Sequence, residues 1–247
     1  MTSDGHREHD LGNHARIVAI TVADHPAAWA RAGFTVTGGA VTLGPTMIRL
    51  TGDRSDASAS DDAAPGERRG ILGWSVAGLD APAGAGAIDG IATTFVAPDT
   101  ATGRGEQPGP ADDAPHPNGA TGIDHVVLHT PDLARTTAAF AAVGLRVRRV
   151  RETESYGAPM RQAFLRAGPT VVEVVSGHDD SGEPAEDAPA GWFGLAIDVD
   201  DLDAVAASLG DGLGGIKPAV QEGRRIATIR HRQIGLSVAV ALMDDRG

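Results

Sequence analysis

The chain contains no cysteine. Disulfides, thiolate nucleophiles and cysteine-based zinc or iron–sulfur centres are thereby excluded. Aromatic residues are only 4% of the 247 residues, so a core must be built from valine, leucine, isoleucine and alanine. Positive charge is scarce too: Lys217 is the only lysine, and the formal net charge is −12. An excess of that sign opposes binding to a nucleic-acid backbone, and no nucleic-acid partner is expected. No apolar run approaches the ~18 residues of a membrane span, so no membrane partner is expected either. Met1 to Arg16 is polar, carries three of the nine histidines and has no apolar leader segment, which points to a cytoplasmic protein.

What is present is a core-forming apolar fraction of 41%, arranged with an internal repeat. Leu72–Asp80 (LGWSVAGLD) returns as Leu195–Asp203 (LAIDVDDLD), and the triplet Ile91-Ala-Thr93 returns as Ile226-Ala-Thr228. A repeat of this kind fixes architecture before any single residue is weighed. Residues 1–14 read as a disordered tail, 15–97 as a first half, 98–120 as a linker rich in Pro, Gly, Asp and Ala, and 121–247 as a second half.

Within the first half, Arg16–Val22 reads as a strand. Asp24 and Pro26 then open a short helix closed by Gly33. Phe34–Thr37, Ala40–Leu43, Thr46–Leu50, Ile71–Val76 and Ile91–Val96 read as strands. In the second half, Gly122–Leu128 is a strand, and Thr130 and Pro131 open a helix ended by Gly144. Leu145–Arg151, Arg161–Arg166 and Thr170–Val175 follow as strands, the last apolar on both faces and therefore central. Leu195–Val199, a helix through Leu202, Val205 and Leu209, and strands Arg225–Arg230 and Leu236–Met243 complete the chain. Each half thus reads as a β-α-β-β-β unit followed by a second one, shortened in the first half. Residues 53–62 and 179–187 are acidic loops without the order of a calcium-binding loop. Gly210–Gly215 satisfies G-x-G-x-x-G but follows a helix, not a strand, which argues against a dinucleotide fold.

Gly122–Leu128 running into Thr130–Leu133 and a helix ending Val143-Gly144-Leu145, with Leu195–Asp203 as the partner opening, resembles the vicinal oxygen chelate superfamily of glyoxalases, bleomycin-resistance proteins and extradiol dioxygenases. The resemblance spans about residues 121–245 and reaches 15–97 only through the repeat. It implies an α+β fold of tandem βαβββ modules whose curved mixed sheets wrap a cavity. It also implies a divalent metal (Zn, Fe, Mn or Ni) held by inward-facing strand residues, with His125 and Glu173 at two ligand positions. The chain departs from that pattern. The partner module's first-strand position falls near Gly194, Leu236–Leu242 lacks a carboxylate, and the first-half equivalents fall near Val18 and Ile48. The ligand set is incomplete, so the alternatives are one divalent metal or none.

A third ligand would have to come from His129, His231, Gln162 or Glu222. His129 shares a strand face with His125, but four strand residues span ~13 Å, too far for one ion to take both readily. Glu173 among four valines needs a partner, whether a metal, a histidine or an arginine from the set 146–151, 161 and 166. Trp192 and Phe193, with His129 and Gln162, are candidate substrate contacts. Two functions stay open. One is a small-molecule lyase, isomerase or dioxygenase in which His125 and Glu173 are catalytic and hold a metal. The other is a metal-free ligand-sequestering protein. A monomer or homodimer fits either.

Overall fold

A computed structural model describes residues 15–52, 69–97, 114–155, 158–177 and 187–246. The sequence-based readings of the tail 1–14, of residues 98–113 of the linker, and of most of both acidic loops (53–62 and 179–186) lie outside the described residues. The first half contributes a six-stranded sheet. Its strands are β1 (Arg16–Val22), β2 (Ala40–Leu43), β3 (Thr46–Leu50), β4 (Ile71–Ala77), β5 (Gly84–Ile88) and β6 (Ile91–Val96), ordered β2-β3-β1-β4-β6-β5. The second half contributes eight: β7 (Ala120–His129), β8 (Val147–Ser155), β9 (Ala158–Ala167), β10 (Thr170–Gly177), β11 (Gly191–Val199), β12 (Lys217–Pro218), β13 (Arg225–Thr228) and β14 (Ala239–Asp244). They are ordered β12-β13-β14-β11-β7-β10-β9-β8.

The repeat is visible in the pairing. In each half two antiparallel central strands, β1/β4 or β7/β11, are each flanked by a parallel neighbour. This is the α+β arrangement of paired modules forming curved mixed sheets. The structure shifts the sequence correspondence, however. Ile91-Ala-Thr93 lies on β6, parallel to β4, and so matches β14, whereas Ile226-Ala-Thr228 lies on β13. The better marker is a glycine. A Cβ on Gly73 would sit 2.7 Å from the Ala92 carbonyl oxygen, and one on Gly194 would sit 2.4 Å from that of Ala239. Each glycine lets its strand lie close against the parallel neighbour.

Reductions in the first half are equally specific. Its second unit has no helix between β4 and β5. Its first unit lacks the outer strand: Phe34–Thr37 forms only the bridge Thr37–Ala40. The Thr35 amide donates instead to His116 Nδ1 at 2.9 Å, and Phe34 packs on Trp29 and His116.

Among the described residues the α-helices are α1 (Pro26–Arg31), α2 (Leu133–Ala142), α3 (Leu202–Leu209) and α4 (His231–Ile234), with a 3-10 turn at Gly210–Gly212. The caps fall later than the sequence suggests, by one residue for α1 and by two for α2. His25 caps α1, with Nδ1 accepting from the Ala27 amide, and Asp132 caps α2, accepting from the Arg135 amide. Asp24 is freed for the junction between the halves. There it is buried and accepts from Trp29 Nε1 (3.0 Å) and the Ser237 amide (2.7 Å). Burial raises its pKa, against the pull of those bonds. One continuous core runs through both halves. At its centre Trp74 meets Phe140 of α2 edge-on at 6.1 Å and Trp192 of β11 at 5.3 Å. Among the described residues no helix is long and apolar enough to cross a membrane.

Candidate functional site

Strand alternation sorts the eight-stranded sheet into two faces. Val126, Leu128, Ala163, Leu165, Val172 and Val174 are fully buried in the core beneath α2. The opposite face carries His125, Val127 and His129 of β7, Glu173 of β10, and Gln162 and Phe164 of β9, as the strand registers require. Among the described residues this face is the polar one. The six strands of the first half carry no histidine and no acidic residue.

His125 and Glu173 come together. Their Nε2 and Oε2 atoms are 3.7 Å apart, and both side chains are mostly buried. The carboxylate partner posed by the sequence is therefore a histidine and not an arginine, joined by an amide: Gln162 Nε2 donates to Glu173 Oε1 at 2.5 Å. Gln162 Oε1 is buried and has no partner among the described residues.

Behind the imidazole lies a residue that strand periodicity placed on the other face. His125 pairs with Ala196 and Ile123 with Ile197, so Asp124 is the extra residue of a bulge in β7. The bulge turns Asp124 toward His125, whose Nδ1 lies 2.5 Å from Asp124 Oδ1. Arg224 contacts Asp124 Oδ2 at 2.6 Å and Asp198 Oδ1 at 2.5 Å. Burial alone raises the pKa of Asp124, but hydrogen bonds from His125 and Arg224 outweigh it, and the net shift is downward. For Asp198 burial prevails and the shift is upward, with Asp124 adding to it. A cleft of about 560 Å³ borders this cluster, lined among others by Thr121, Asp124, Asp198 and Arg224.

The remaining candidates separate. His129 stacks on Phe193 with ring centroids at 4.5 Å and an interplanar angle of 17°, and Phe193 is 54% exposed. Trp192 sits opposite Leu128 and turns into the core against Trp74, away from the polar face. His231 opens α4 at the junction of the halves, near Asp24, where Arg31 donates to the Ile234 carbonyl. Burial lowers its pKa. Glu222 is exposed in the turn before β13. Gly194 leaves no room for a ligand side chain, since its Cβ position is occupied by the approach of Ala239. The final strand does end in a carboxylate, Asp244, one residue beyond the segment read from sequence. It is committed elsewhere, accepting from Arg225 and from the Leu202 amide. Among the described residues no group of three or more His, Asp or Glu side chains could hold a metal.

Comparison with known proteins adds to this geometry. The Glyoxalase/Bleomycin resistance protein/Dioxygenase superfamily matches residues 124–230 by sequence. No curated protein matches the chain. Among solved structures, a triple mutant of 4-hydroxymandelate synthase from Streptomyces coelicolor is similar, with TM-score 0.58 at 16% identity. That similarity covers 94% of this chain and 93% of that one. A xylose isomerase-like TIM barrel/4-hydroxyphenylpyruvate dioxygenase fusion protein gives TM-score 0.59 at 10% identity over 94% of this chain and 49% of its own. Methylmalonyl-CoA epimerase from Mycobacterium tuberculosis covers 56% of this chain and 96% of its own at 21% identity, with TM-score 0.43. The first two similarities show a shared fold.

Proposed function

We propose, from the match of residues 124–230 to the glyoxalase/bleomycin resistance protein/dioxygenase superfamily, that the polar face of the eight-stranded sheet is a small-molecule site whose reacting pair is His125 and Glu173. The observation that carries the reading is the facing pair itself: Nε2 and Oε2 at 3.7 Å, with Nδ1 already engaged by Asp124. An ionised Asp124 accepts from Nδ1–H, which leaves a lone pair on Nε2 directed at a carboxylate. Two acceptors that face each other in a mostly buried site call for a positive charge between them.

A divalent cation meets that demand. Imidazole and carboxylate are ordinary ligands of Zn, Fe, Mn and Ni, and Gln162 Oε1, without a partner among the described residues, is a third donor on the same face. His125 and Glu173 would hold the ion, and when bound it would polarise two adjacent oxygens of a substrate, as a lyase, isomerase or dioxygenase requires. The chain's own groups supply the rest. Alternatively, with no ion held, Gln162 engages Glu173 Oε1 and leaves Oε2 to take a proton from a carbon acid. The His129–Phe193 stack offers an exposed flat wall against which a substrate can lie.

A second reading rests on the absence of a three-carboxylate-or-histidine cluster among the described residues. In it no ion is held and the site sequesters its ligand. Calorimetric titration of Zn and Mn into protein lacking residues 1–14, which removes His6, His9 and His14, separates the two. One equivalent is expected for the intact site, with loss in His125→Ala and in Glu173→Ala. No binding to the unmutated site would overturn the metal reading and leave sequestration, which predicts ligand binding indifferent to chelator.

A further inference from the structure

We infer that Arg224, contributed by the second βαβββ unit, is a positioning residue for His125 and acts through Asp124. The inference rests on the reading that His125 belongs to the site. Its basis is a continuous set of short contacts: Arg224 to Asp124 Oδ2 at 2.6 Å, and Asp124 Oδ1 to His125 Nδ1 at 2.5 Å. The far side of the guanidinium is anchored by Asp198 of β11 at 2.5 Å. All three side chains of the Arg224–Asp124–His125 series are 16–18% exposed, so they are shielded from the competition of bulk water.

Three features separate this arrangement from an incidental ion pair. First, it depends on the bulge in β7. Without the extra residue Asp124 would face the opposite side of the sheet, because one step along a strand reverses the side chain. Second, the guanidinium grips two carboxylates on two different central strands, one from each unit. It therefore fixes β7 and β11 relative to each other at the level of His125. Third, it gives the second unit a part in the site. That unit brings no ligand of its own, since Gly194 is closed by Ala239 and Asp244 is bound to Arg225 and the Leu202 amide. Its contribution arrives from behind. The turn Gln221–Arg224, closed by the Arg224 N–H to the Gln221 carbonyl at 3.2 Å, delivers the side chain that holds the acceptor for Nδ1–H.

The chemical consequence is a fixed tautomer. With the hydrogen on Nδ1, Nε2 presents its lone pair to the site, the form in which an imidazole binds a cation or accepts a proton. A carboxylate behind a metal-binding histidine also raises its basicity, and loss of such a partner typically weakens metal binding about 10–100-fold.

The test is long-range ¹H–¹⁵N spectroscopy of the histidine rings in the metal-free full-length chain, at alkaline pH where an ordinary imidazole is neutral. The signal is assigned by its disappearance in His125→Asn. The expected result is a hydrogen on Nδ1 and none on Nε2. Asp124→Asn and Arg224→Gln should shift the population toward the Nε2–H form, with Arg224→Lys closer to the unmutated protein. Zn affinity should fall about 10–100-fold in Asp124→Asn. A His125 carrying its hydrogen on Nε2 in the unmutated protein overturns the inference without any variant. So does an unchanged tautomer in both folded variants. A fixed Nδ1–H tautomer in a protein that binds no metal overturns the metal reading and leaves this inference standing.

Discussion

Gly194 accounts for the second unit's lack of a ligand more directly than any loss of a histidine would. Any side chain there meets the Ala239 carbonyl oxygen, with Cβ at 2.4 Å, so the close approach of β11 and β14 and a ligand at this position exclude each other. Gly194→Ala should therefore lower stability by about 1–3 kcal/mol, as forced overpacking does, and chemical denaturation will measure it. Asp244 is the other residue with a decided role. Hydrogen bonds from Arg225 hold its pKa below the usual carboxylate range, opposed by burial. A depressed folded-state value means the carboxylate stabilises the fold above the unfolded-state pKa, and that contribution is lost as pH falls through the folded-state value. Asp244→Asn should thus lower the melting temperature at neutral pH, and the gap from the unmutated protein should close as the pH drops below about 4. A gap that stayed constant across that range would show that Asp244 acts by shape alone. At this scale the sequence singled out His125, Glu173 and Gln162, because a histidine and a carboxylate in apolar strands need partners, and the fold brings the three together. It did not identify Asp124 or Arg224. Alternation places Asp124 on the wrong face, since nothing local marks the bulge, and Arg224 lies 100 residues away among other arginines.

Elements explain how two unequal halves lock together. The β5–β6 hairpin turns at Asp89, whose φ of 46° is one an aspartate tolerates better than most residues. The tip lies against the start of α2. Asp89 accepts from Arg135 Nε at 2.9 Å and from the Thr136 hydroxyl, and its carbonyl accepts from the Ala190 amide at 3.0 Å, next to the first residue of β11. The tip thus fixes both the helix that covers β9 and β10 and the entry to β11. Asp89→Ala should cost about 1–3 kcal/mol, the usual penalty for stranding buried hydrogen-bonding groups, while Asp89→Asn, which keeps an acceptor, should cost less. Equal losses in equilibrium unfolding would remove the hydrogen bonds as the cause. Strands with strong alternation or apolar runs were legible, β7, β10 and β11 among them. The outer strand expected at Phe34–Thr37 was not a strand. Its β-branched composition is suitable, but His116 takes the Thr35 amide and Thr42 carbonyl that a neighbouring strand would have needed. The repeat was visible too, although its register was set by the paired glycines and not by the resembling triplets.

At the scale of the whole molecule the question is whether the first half, which brings no polar pair, is dispensable. The core argues that it is not. Trp74 of β4 is 2% exposed because Phe140 and Trp192 of the second half cover it, and the reverse also holds. Asn118 donates to the Ala32 carbonyl, Arg31 to that of Ile234, and Ser237 to Asp24, so the polar seam is shared as well. Separating the halves would expose a contiguous apolar face of α2 and β11 that holds two large aromatic side chains, and exposed patches of that kind drive association. Entry to β11 would also lose its anchor at Asp89, which ties the start of that strand to the first half through Ala190. A chain of residues 114–247 should therefore be prone to self-association, bind a hydrophobic dye, and unfold with less cooperativity than the intact protein. Co-expression with residues 15–97 should restore much of the loss. A monomeric, cooperatively folding 114–247 fragment with its metal or ligand affinity intact would show that the second half is self-sufficient and that the shared core serves stability alone.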